Sequence, residues 1–307
     1  MIPYYNRVTG KIENEKVYGG SWLDWAYQNR FGFYLTDHLF SRRWVSRMFG
    51  AFEDSPLSRL KIRDFIRKYD IRMEDYEEAG YSCFNDFFIR RFKPGVRPFP
   101  DSPRRFAAGA EARYLAFTGL KPDQHFDVKG FDVNLAGLVQ DPELAKQFEG
   151  GTLIIARLCP VDYHRFHFPF TGRLVRHYPV AGRYHSVNPV ALKAAPRVFL
   201  ENERQIAVLE HEQFGTCAMI EVGALGVGKI VQSAYNSRTS LPLAFEMGSE
   251  KGYFLFGGST VIWLLGRGKI KLCDDLLQNS AKGIETWIPL GQTLGEVESG
   301  EQRTGPH

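Results

Sequence analysis

The sequence predicts an α+β fold, in which a helical N-terminal region precedes a β-rich domain. From about residue 96 onward, short β-type runs are separated by glycines or prolines, and few helical patterns lie between them. Between residues 20 and 70, apolar residues instead recur at helical spacing. Prolines at Pro98, Pro100 and Pro103 mark the change. We therefore divide the chain into residues 1–95 and 96–307.

The expected strands of the second domain are short and apolar, as in a sheet with one or both faces buried. Two helical patterns interrupt them, Pro142–Phe148 and Pro189–Ala194. The predicted strands are Arg113–Phe117, Thr152–Leu158, Arg173–Tyr178, Gln205–Leu209, Thr216–Val222, Tyr253–Leu265 and Lys269–Leu272.

The helical N-terminal region combines aromatic with basic residues. Residues 41–73 contain nine Lys or Arg against four acids, a local excess larger than the net charge of +4 of the whole chain. Interleaved aromatic and basic residues on short helices are typical of helices that lie on an anionic membrane surface. A helical layer packed on the second domain, with a solvated basic face, explains the same pattern.

Composition excludes several classes of protein. The longest uncharged stretch, residues 252–266, is too short to span a bilayer, so no transmembrane helix is expected. The four cysteines form no C-x-x-C pair, which argues against a disulfide framework or a zinc cluster and favours a reducing compartment. The N-terminus lacks the pattern of a signal peptide. The net charge is too small to indicate nucleic-acid binding.

Ser259 stands out because it follows two glycines inside a very apolar run. Glycines weaken a strand interior unless a sharp bend or a close backbone approach requires them. A hydroxyl directly after such a bend has unusual access to the preceding carbonyl group. On this segment alone, a glycine bulge with a buried serine and threonine is the simpler interpretation. The G-x-S-x-G elbow of lipases is excluded, because Val261 occupies its last position.

A second segment, residues 158–169, places His164 and His167 three residues apart, with Asp162 and Arg165 beside them. Only Cys159 is near enough in sequence to be a further zinc ligand, so no metal site is predicted. A histidine acting as a general acid or base is more plausible, because its ordinary pKa lies near neutral pH. A third feature, Glu111 at the start of a predicted strand, is by itself an ordinary acidic residue.

Taken together and in this order, the motifs resemble the phosphatidylserine decarboxylase family. The resemblance covers most of the chain. The Gly257-Gly-Ser-Thr260 and Asp162-Tyr-His-Arg-Phe-His167 blocks are each short, but both at this spacing, with the intervening motifs, form a specific signal. Its motifs are Phe84-Asn-Asp-Phe-Phe-Ile-Arg90, Pro160-x-Asp-Tyr-His-Arg-Phe-His167, Tyr184-His-Ser-Val-Asn-Pro189, Glu221-Val-Gly-Ala224, Gly252-Tyr-Phe-x-Phe-Gly-Gly-Ser-Thr260, Gly283-Ile-Glu-Thr286 and Gly291.

The resemblance implies a proenzyme that cuts itself between Gly258 and Ser259, which gives chains 1–258 and 259–307. Ser259 then becomes a covalent pyruvoyl group, the only cofactor implied. Its ketone forms a Schiff base with phosphatidylserine and accepts the electrons released as CO2 leaves, which yields phosphatidylethanolamine. His167 corresponds to the base that activates Ser259, oriented by a carboxylate. His164 corresponds to the histidine associated with decarboxylation.

Glu111 is the one departure from the family pattern. Members usually carry aspartate as the third residue of a Pro-Ala-Asp segment, where this chain has Gly109-Ala110-Glu111. The extra methylene of glutamate displaces the carboxylate, and a misplacement of about 1 Å can lower a rate about 100-fold. We therefore expect slower or partial self-cleavage.

The implied partners are phosphatidylserine and an anionic membrane surface, and the two cleavage chains bind each other. A homodimer is left open, and no nucleic acid is expected. The implied location is peripheral, on the cytoplasmic face of the bacterial cell membrane. For the substrate phosphate, Arg113, His164 and Arg165 are candidates by nearness. Three alternatives are a pyruvoyl-dependent decarboxylase of a soluble aromatic amino acid, a lipid-binding homologue that is never cleaved, and a serine hydrolase, which the failed elbow pattern disfavours.

Overall fold

The strands and helices are those of a computed structural model, which describes residues 2–16, 25–126, 131–224, 229–257 and 259–298. The strands are β1 Pro3–Asn6, β2 Lys11–Asn14, β3 Arg105–Ala107, β4 Ala112–Thr118, β5 Asp123–Phe126, β6 Phe131–Asn134, β7 Thr152–Leu158, β8 Arg165–His167, β9 Gly172–Val180, β10 Arg204–His211, β11 Gly215–Gly223, β12 Ile230–Gln232, β13 Leu243–Phe245, β14 Glu250–Phe254, β15 Ser259–Leu265, β16 Ile270–Leu272, β17 Glu285–Ile288 and β18 Thr293–Val297.

Short helices lie between residues 30 and 88 and again between residues 135 and 281. They are α1 Arg30–Leu35, α2 Arg43–Glu53, α3 Lys61–Tyr69, α4 Phe84–Phe88, α5 Leu135–Val139, α6 Pro142–Lys146, α7 Pro189–Ala194, α8 Val198–Glu201 and α9 Asp274–Ala281, with a π-helical turn at Thr36–Phe40 and 3₁₀ turns at Pro56–Leu60 and Met73–Asp75. The predicted α+β class with a β-rich second part is confirmed.

A ten-stranded sheet forms the centre, in the order β13-β9-β10-β11-β15-β7-β4-β17-β1-β2. Its neighbouring strands are antiparallel except for the parallel pair β1 and β17. Every residue of the central strands β7 and β15 is buried, because other elements cover both faces of the sheet there. Trp263, the largest fully buried side chain, stacks on Tyr114 with 6.2 Å between ring centroids.

Several predicted elements have the predicted position. Thr152–Leu158 and Pro189–Ala194 have the predicted bounds, and four further strands extend the predicted ones by one or two residues at an end. The run Tyr253–Leu265 is wrong as a single strand. It divides into β14, in a small sheet ordered β12-β14-β8, and β15, in the central sheet. The glycines between them mark the change of sheet.

The N-terminal part is not helical throughout. Residues 3–14 form a β hairpin that extends the central sheet next to β17, nearly 280 residues later in the chain. Helices α3 and α4 pack together through an aromatic cluster that includes Phe65, Phe84 and Phe87. Among the described residues, none of the helices combines the length and apolar character needed to cross a bilayer.

Candidate active site

Ser259 lies at the first position of β15, where three strands of the central sheet meet. It pairs with Gly223 of β11 on one side and with Leu158 of β7 on the other, and it is fully buried. Gly257, two residues earlier, has φ of +143°, a conformation that glycine adopts without the strain a Cβ would introduce. Gly258, the predicted cleavage partner, lies outside the described residues. The bend predicted before the serine is therefore present at Gly257.

The hydroxyl of Ser259 contacts His164. Its Oγ lies 3.2 Å from Nδ1 of the imidazole, and Nε2 of the same ring lies 2.9 Å from the carbonyl oxygen of Cys159. A carbonyl oxygen only accepts hydrogen bonds, so Nε2 carries the proton and Nδ1 presents its lone pair to the serine hydroxyl. Complete burial lowers the pKa of His164 to about 3, which keeps the imidazole neutral at neutral pH.

Helix α4 holds both partners of this contact. The Phe88 ring stacks on the His164 imidazole with 3.9 Å between centroids. Asn85 Oδ1 accepts a hydrogen bond of 2.7 Å from the backbone N–H of Phe256, which lies three residues before Ser259. The amide nitrogen of Asn85 donates to Asp54 Oδ1 at 2.8 Å, beyond the end of α2. One short helix thus fixes the histidine and the segment that leads to the serine.

His167 lies on β8 and makes different contacts. Its Nδ1 lies 2.8 Å from the carbonyl oxygen of Gly248, so this nitrogen carries the proton, while Nε2 lies 3.4 Å from the hydroxyl of Tyr163. The His167 backbone N–H donates to the carbonyl oxygen of Gly109 at 2.7 Å. Burial lowers the pKa of His167. Within the described part of the chain, the Ser259 hydroxyl donates its hydrogen bond to His164 rather than to His167.

Glu111 is buried and held by Arg97. Arg97 donates to the carboxylate from Nε at 2.6 Å and from Nη2 at 3.3 Å, and the N–H of Leu290 approaches it at 3.5 Å. Burial raises the pKa of Glu111, although the charge of Arg97 opposes the shift. The described hydrogen bonds of Glu111 do not include His167, whose Nδ1 donates to Gly248. The carboxylate that the resemblance assigns to the base thus has Arg97 as its partner in the uncut chain.

Comparison with known proteins identifies the family. The family model described as phosphatidylserine decarboxylase matches residues 84–296. The chain is 37% identical over 297 residues to a protein named phosphatidylserine decarboxylase proenzyme from Clostridium botulinum strain Hall, with 96% of this chain and 99% of the relative covered. The chain belongs to the phosphatidylserine decarboxylase family. Proteins of the same name from Fusobacterium nucleatum and Desulfitobacterium hafniense are 39% and 38% identical, over 97% and 96% of this chain and 98% of each relative.

The two arginines suggested for the substrate phosphate of this decarboxylase are already engaged. Arg113 Nη1 lies 2.7 Å from Asp162 Oδ2, and its Nε lies 3.3 Å from Glu15. Arg165 Nη1 lies 2.9 Å from both carboxylate oxygens of Glu250. Both guanidinium groups are therefore paired with carboxylates in the uncut chain.

Several residues that shape the decarboxylase site were not singled out as functional from the sequence. Phe88 and Asn85 belong to the motif at 84–90, which contributed to the resemblance but carried no chemical argument. Asp162 was noted only as a neighbour of the histidines. No cluster of three or more His, Cys, Asp or Glu side chains suited to a metal ion occurs in the described ranges.

Proposed function

We propose that this chain is a phosphatidylserine decarboxylase proenzyme that cleaves itself between Gly258 and Ser259. The observation that carries the proposal is the contact of 3.2 Å between Ser259 Oγ and a neutral, buried imidazole. The positive φ of Gly257 and the family membership support it further. A serine hydroxyl is a weak nucleophile until a base accepts its proton. The described contact offers His164 as that acceptor, whereas the resemblance assigns the role to His167, and the substitutions below decide between them.

Self-cleavage requires only the chain and one water molecule. Ser259 Oγ attacks the carbonyl carbon of Gly258, the peptide C–N bond breaks, and an ester joins the two parts. Loss of the Ser259 α-proton then breaks the Cβ–O bond and leaves a carboxylate on Gly258. Water adds to the resulting enamine, ammonia leaves, and a pyruvoyl group remains at position 259.

The residues present fit a pyruvoyl group, because Ser259 is buried at a strand end with His164 against its side chain. That group supplies a ketone that takes up the electron pair released with CO2. His164 Nδ1 faces the side chain from which the group forms, which supports a role in proton transfer during decarboxylation. The assignment of His167 as the base of self-cleavage derives from the family resemblance.

Three single substitutions test the roles of Ser259, His167 and His164. We expect Ser259→Ala and His167→Asn to remain uncut, and His164→Asn to be cut but to lack decarboxylase activity. Denaturing gels follow the cleavage, and release of labelled CO2 from phosphatidylserine follows the turnover. If His164→Asn stays uncut while His167→Asn is cut, the base of self-cleavage is His164. If native protein turns over tryptophan but not phosphatidylserine, the substrate assignment fails.

We also propose that the helical region between residues 25 and 69 rests on the surface of an anionic bilayer. Large apolar side chains are exposed there: Trp25, Phe31, Tyr34, Leu39, Trp44, Met48, Phe49, Phe52, Leu57 and Leu60. Exposed apolar residues that concentrate in one region are typical of an interaction site, whereas scattered ones are ordinary.

The chemistry of this region favours lipid over a protein partner. Trp44, Met48 and Phe52 recur every four residues on α2 and therefore form one row along the helix. Exposed basic side chains accompany them: Arg42, Arg59, Arg63, Arg67 and Lys68. Apolar residues that enter the interface, together with cations that face anionic headgroups, are what surface binding requires. The proposed substrate is itself an anionic bilayer lipid, which supports a peripheral location at a membrane, and we propose the cytoplasmic face of the bacterial membrane.

Sedimentation with vesicles tests the membrane proposal. We expect native protein to sediment with phosphatidylcholine vesicles that contain an anionic lipid, and the triple variant Trp44→Ser, Met48→Ser, Phe52→Ser to stay in solution. The matched control is Val8→Ser with Ile12→Ser, because these exposed apolar residues lie on the β1–β2 hairpin. Equal sedimentation of the triple variant and the control would contradict the proposal.

A further inference from the structure

The turn that follows β7 is closed twice by the same residue. The backbone N–H of Asp162 donates to the carbonyl oxygen of Cys159 at 2.8 Å, and the N–H of Cys159 donates to Asp162 Oδ2 at 2.7 Å. Leu158, immediately before the turn, is paired with Ser259 across the sheet. The turn therefore begins level with Ser259, and Asp162 determines its shape.

The carboxylate of Asp162 is anchored to two strands of the central sheet. Arg113 of β4 donates from Nη1 to Oδ2 at 2.7 Å, and Trp287 of β17 donates from Nε1 to Oδ1 at 3.3 Å. Asp162 is 7% exposed and Arg113 is 5% exposed, so water competes little for these hydrogen bonds. Because Arg113 and Trp287 lie on strands of the sheet that carries Ser259, they fix the position of the turn relative to the serine.

Arg90, the last residue of the motif at 84–90, holds the backbone of the same turn. Its Nη2 lies 3.0 Å from the carbonyl oxygen of Val161 and 3.3 Å from that of Asp162. The guanidinium group packs over the rings of Tyr76 and Phe87, with 4.5 and 5.0 Å to their centroids. Two buried arginines, Arg90 and Arg113, thus hold the turn from different sides.

The turn is connected to His164 through a single atom, the carbonyl oxygen of Cys159. The carbonyl oxygen of Cys159 accepts the N–H of Asp162 and also the Nε2 proton of His164. Its position therefore decides which imidazole nitrogen carries the proton and which faces residue 259. We propose that Asp162 is a positioning residue that fixes the tautomer and orientation of His164. This inference rests on the proposed function, because His164 acts there on the group formed at position 259.

Asp162→Asn is an informative substitution because of the donors around the carboxylate. Both oxygens of Asp162 face only donors in the described contacts: two N–H groups at Oδ2 and one at Oδ1. Asparagine offers one acceptor oxygen and an NH2 group that only donates. At least one N–H must then face another donor, so the turn shifts while the size of the side chain is kept.

Glu285→Gln is a matched control. Glu285 is equally buried, at 3% exposure, and its two carboxylate oxygens accept from Arg157 Nε at 2.8 Å and Nη2 at 2.6 Å. The substitution removes a buried charge of the same sign from the same side of the sheet. Arg157 also donates from Nη1 to Cys159 Sγ at 3.0 Å, so Glu285 is linked to the turn through a side chain, whereas Asp162 accepts from and donates to the backbone of the turn. Any loss that follows from stability alone affects both variants.

Kinetics of the full chain separate positioning from stability. We expect Asp162→Asn to lower kcat of the cleaved enzyme by about 10- to 100-fold with little change in KM, as for a displaced catalytic group. If its melting temperature equals that of Asp162→Asn, Glu285→Gln should keep the native kcat and KM. Equal losses in the two variants would overturn the proposal, because they would show a general effect on stability.

A spectroscopic measurement tests the inference on the native protein, without requiring the variant to fold. In ¹⁵N-histidine-labelled protein, the His164 signals are identified by their absence in His164→Asn. We expect the proton on Nε2, and a mixture of tautomers in Asp162→Asn where that variant folds. A native proton on Nδ1 would overturn the inference. If native protein stays uncut, the proposed function fails, while the tautomer still reports on the turn.

Discussion

His164 gives the folded chain a specific sensitivity to acid. Its buried imidazole has a pKa of about 3, against 6.5 for an unperturbed histidine. Between these two values the unfolded chain binds a proton at this position and the folded chain does not. The stabilising contribution is therefore complete above pH 6.5 and is lost as the pH falls toward 3.

The magnitude follows from the number of protons taken up on unfolding. Each pH unit below 6.5 lowers the free energy of unfolding by about 1.4 kcal/mol, which gives about 2 kcal/mol at pH 5.0. At pH 5.0 this loss in the free energy of unfolding depends on the pKa of His164 in the unfolded chain, because its pKa in the folded chain is far lower. Burial also lowers the pKa values of His167 and His185, so a comparison that isolates His164 is needed.

The assay compares two uncut proteins, Ser259→Ala and Ser259→Ala with His164→Asn, by urea unfolding at about pH 7.5 and 5.0. Contributions of all other histidines cancel between the two proteins if they are independent of residue 164. We expect the single variant to lose about 2 kcal/mol more than the double variant on acidification. The same loss in both proteins would refute the neutral, buried state assigned to His164.

Three further substitutions address the supports of the site. Phe88→Leu removes the ring stacked on His164 at a cost of about 1 kcal/mol in stability. We expect slower decarboxylation in this variant than in the control Phe65→Leu, and equal kcat values would exclude a role for the stacked ring. Asn85→Ala leaves the Phe256 N–H without its acceptor, at about 1–3 kcal/mol, and should slow self-cleavage on denaturing gels; an unchanged time course would contradict this. Glu111→Asp should cleave faster than the native chain in the same assay, because the shorter side chain restores the family's carboxylate position, whereas identical kinetics would show that Glu111 serves equally well.

The central strands were predictable because burial leaves a strong local pattern. β7 is apolar along its length and appears with the predicted bounds, and the glycines before Ser259 correctly indicated a bend. The hairpin β1–β2 was not predictable, since its strands have four residues each, none of them fully buried, and one of them pairs with β17 at the other end of the sequence. Short strands of this kind are specified by their partners rather than by their own composition.

The identity of the site residues was easier to predict than their contacts. The order of motifs pointed to Ser259, His164, His167 and Glu111, but spacing alone could not show which imidazole contacts the serine. That choice depends on the turn after β7 and on the irregular register between β14 and β8. The pairing of Glu111 with Arg97 likewise joins residues whose contact is created by folding.

The intact mass of the expressed protein shows directly whether the chain has cut itself before Ser259. We expect two chains, residues 1–258 and a C-terminal chain of 49 residues that begins with a pyruvoyl group in place of Ser259. A folded, uncut chain of 307 residues with an unmodified serine at position 259 would contradict it.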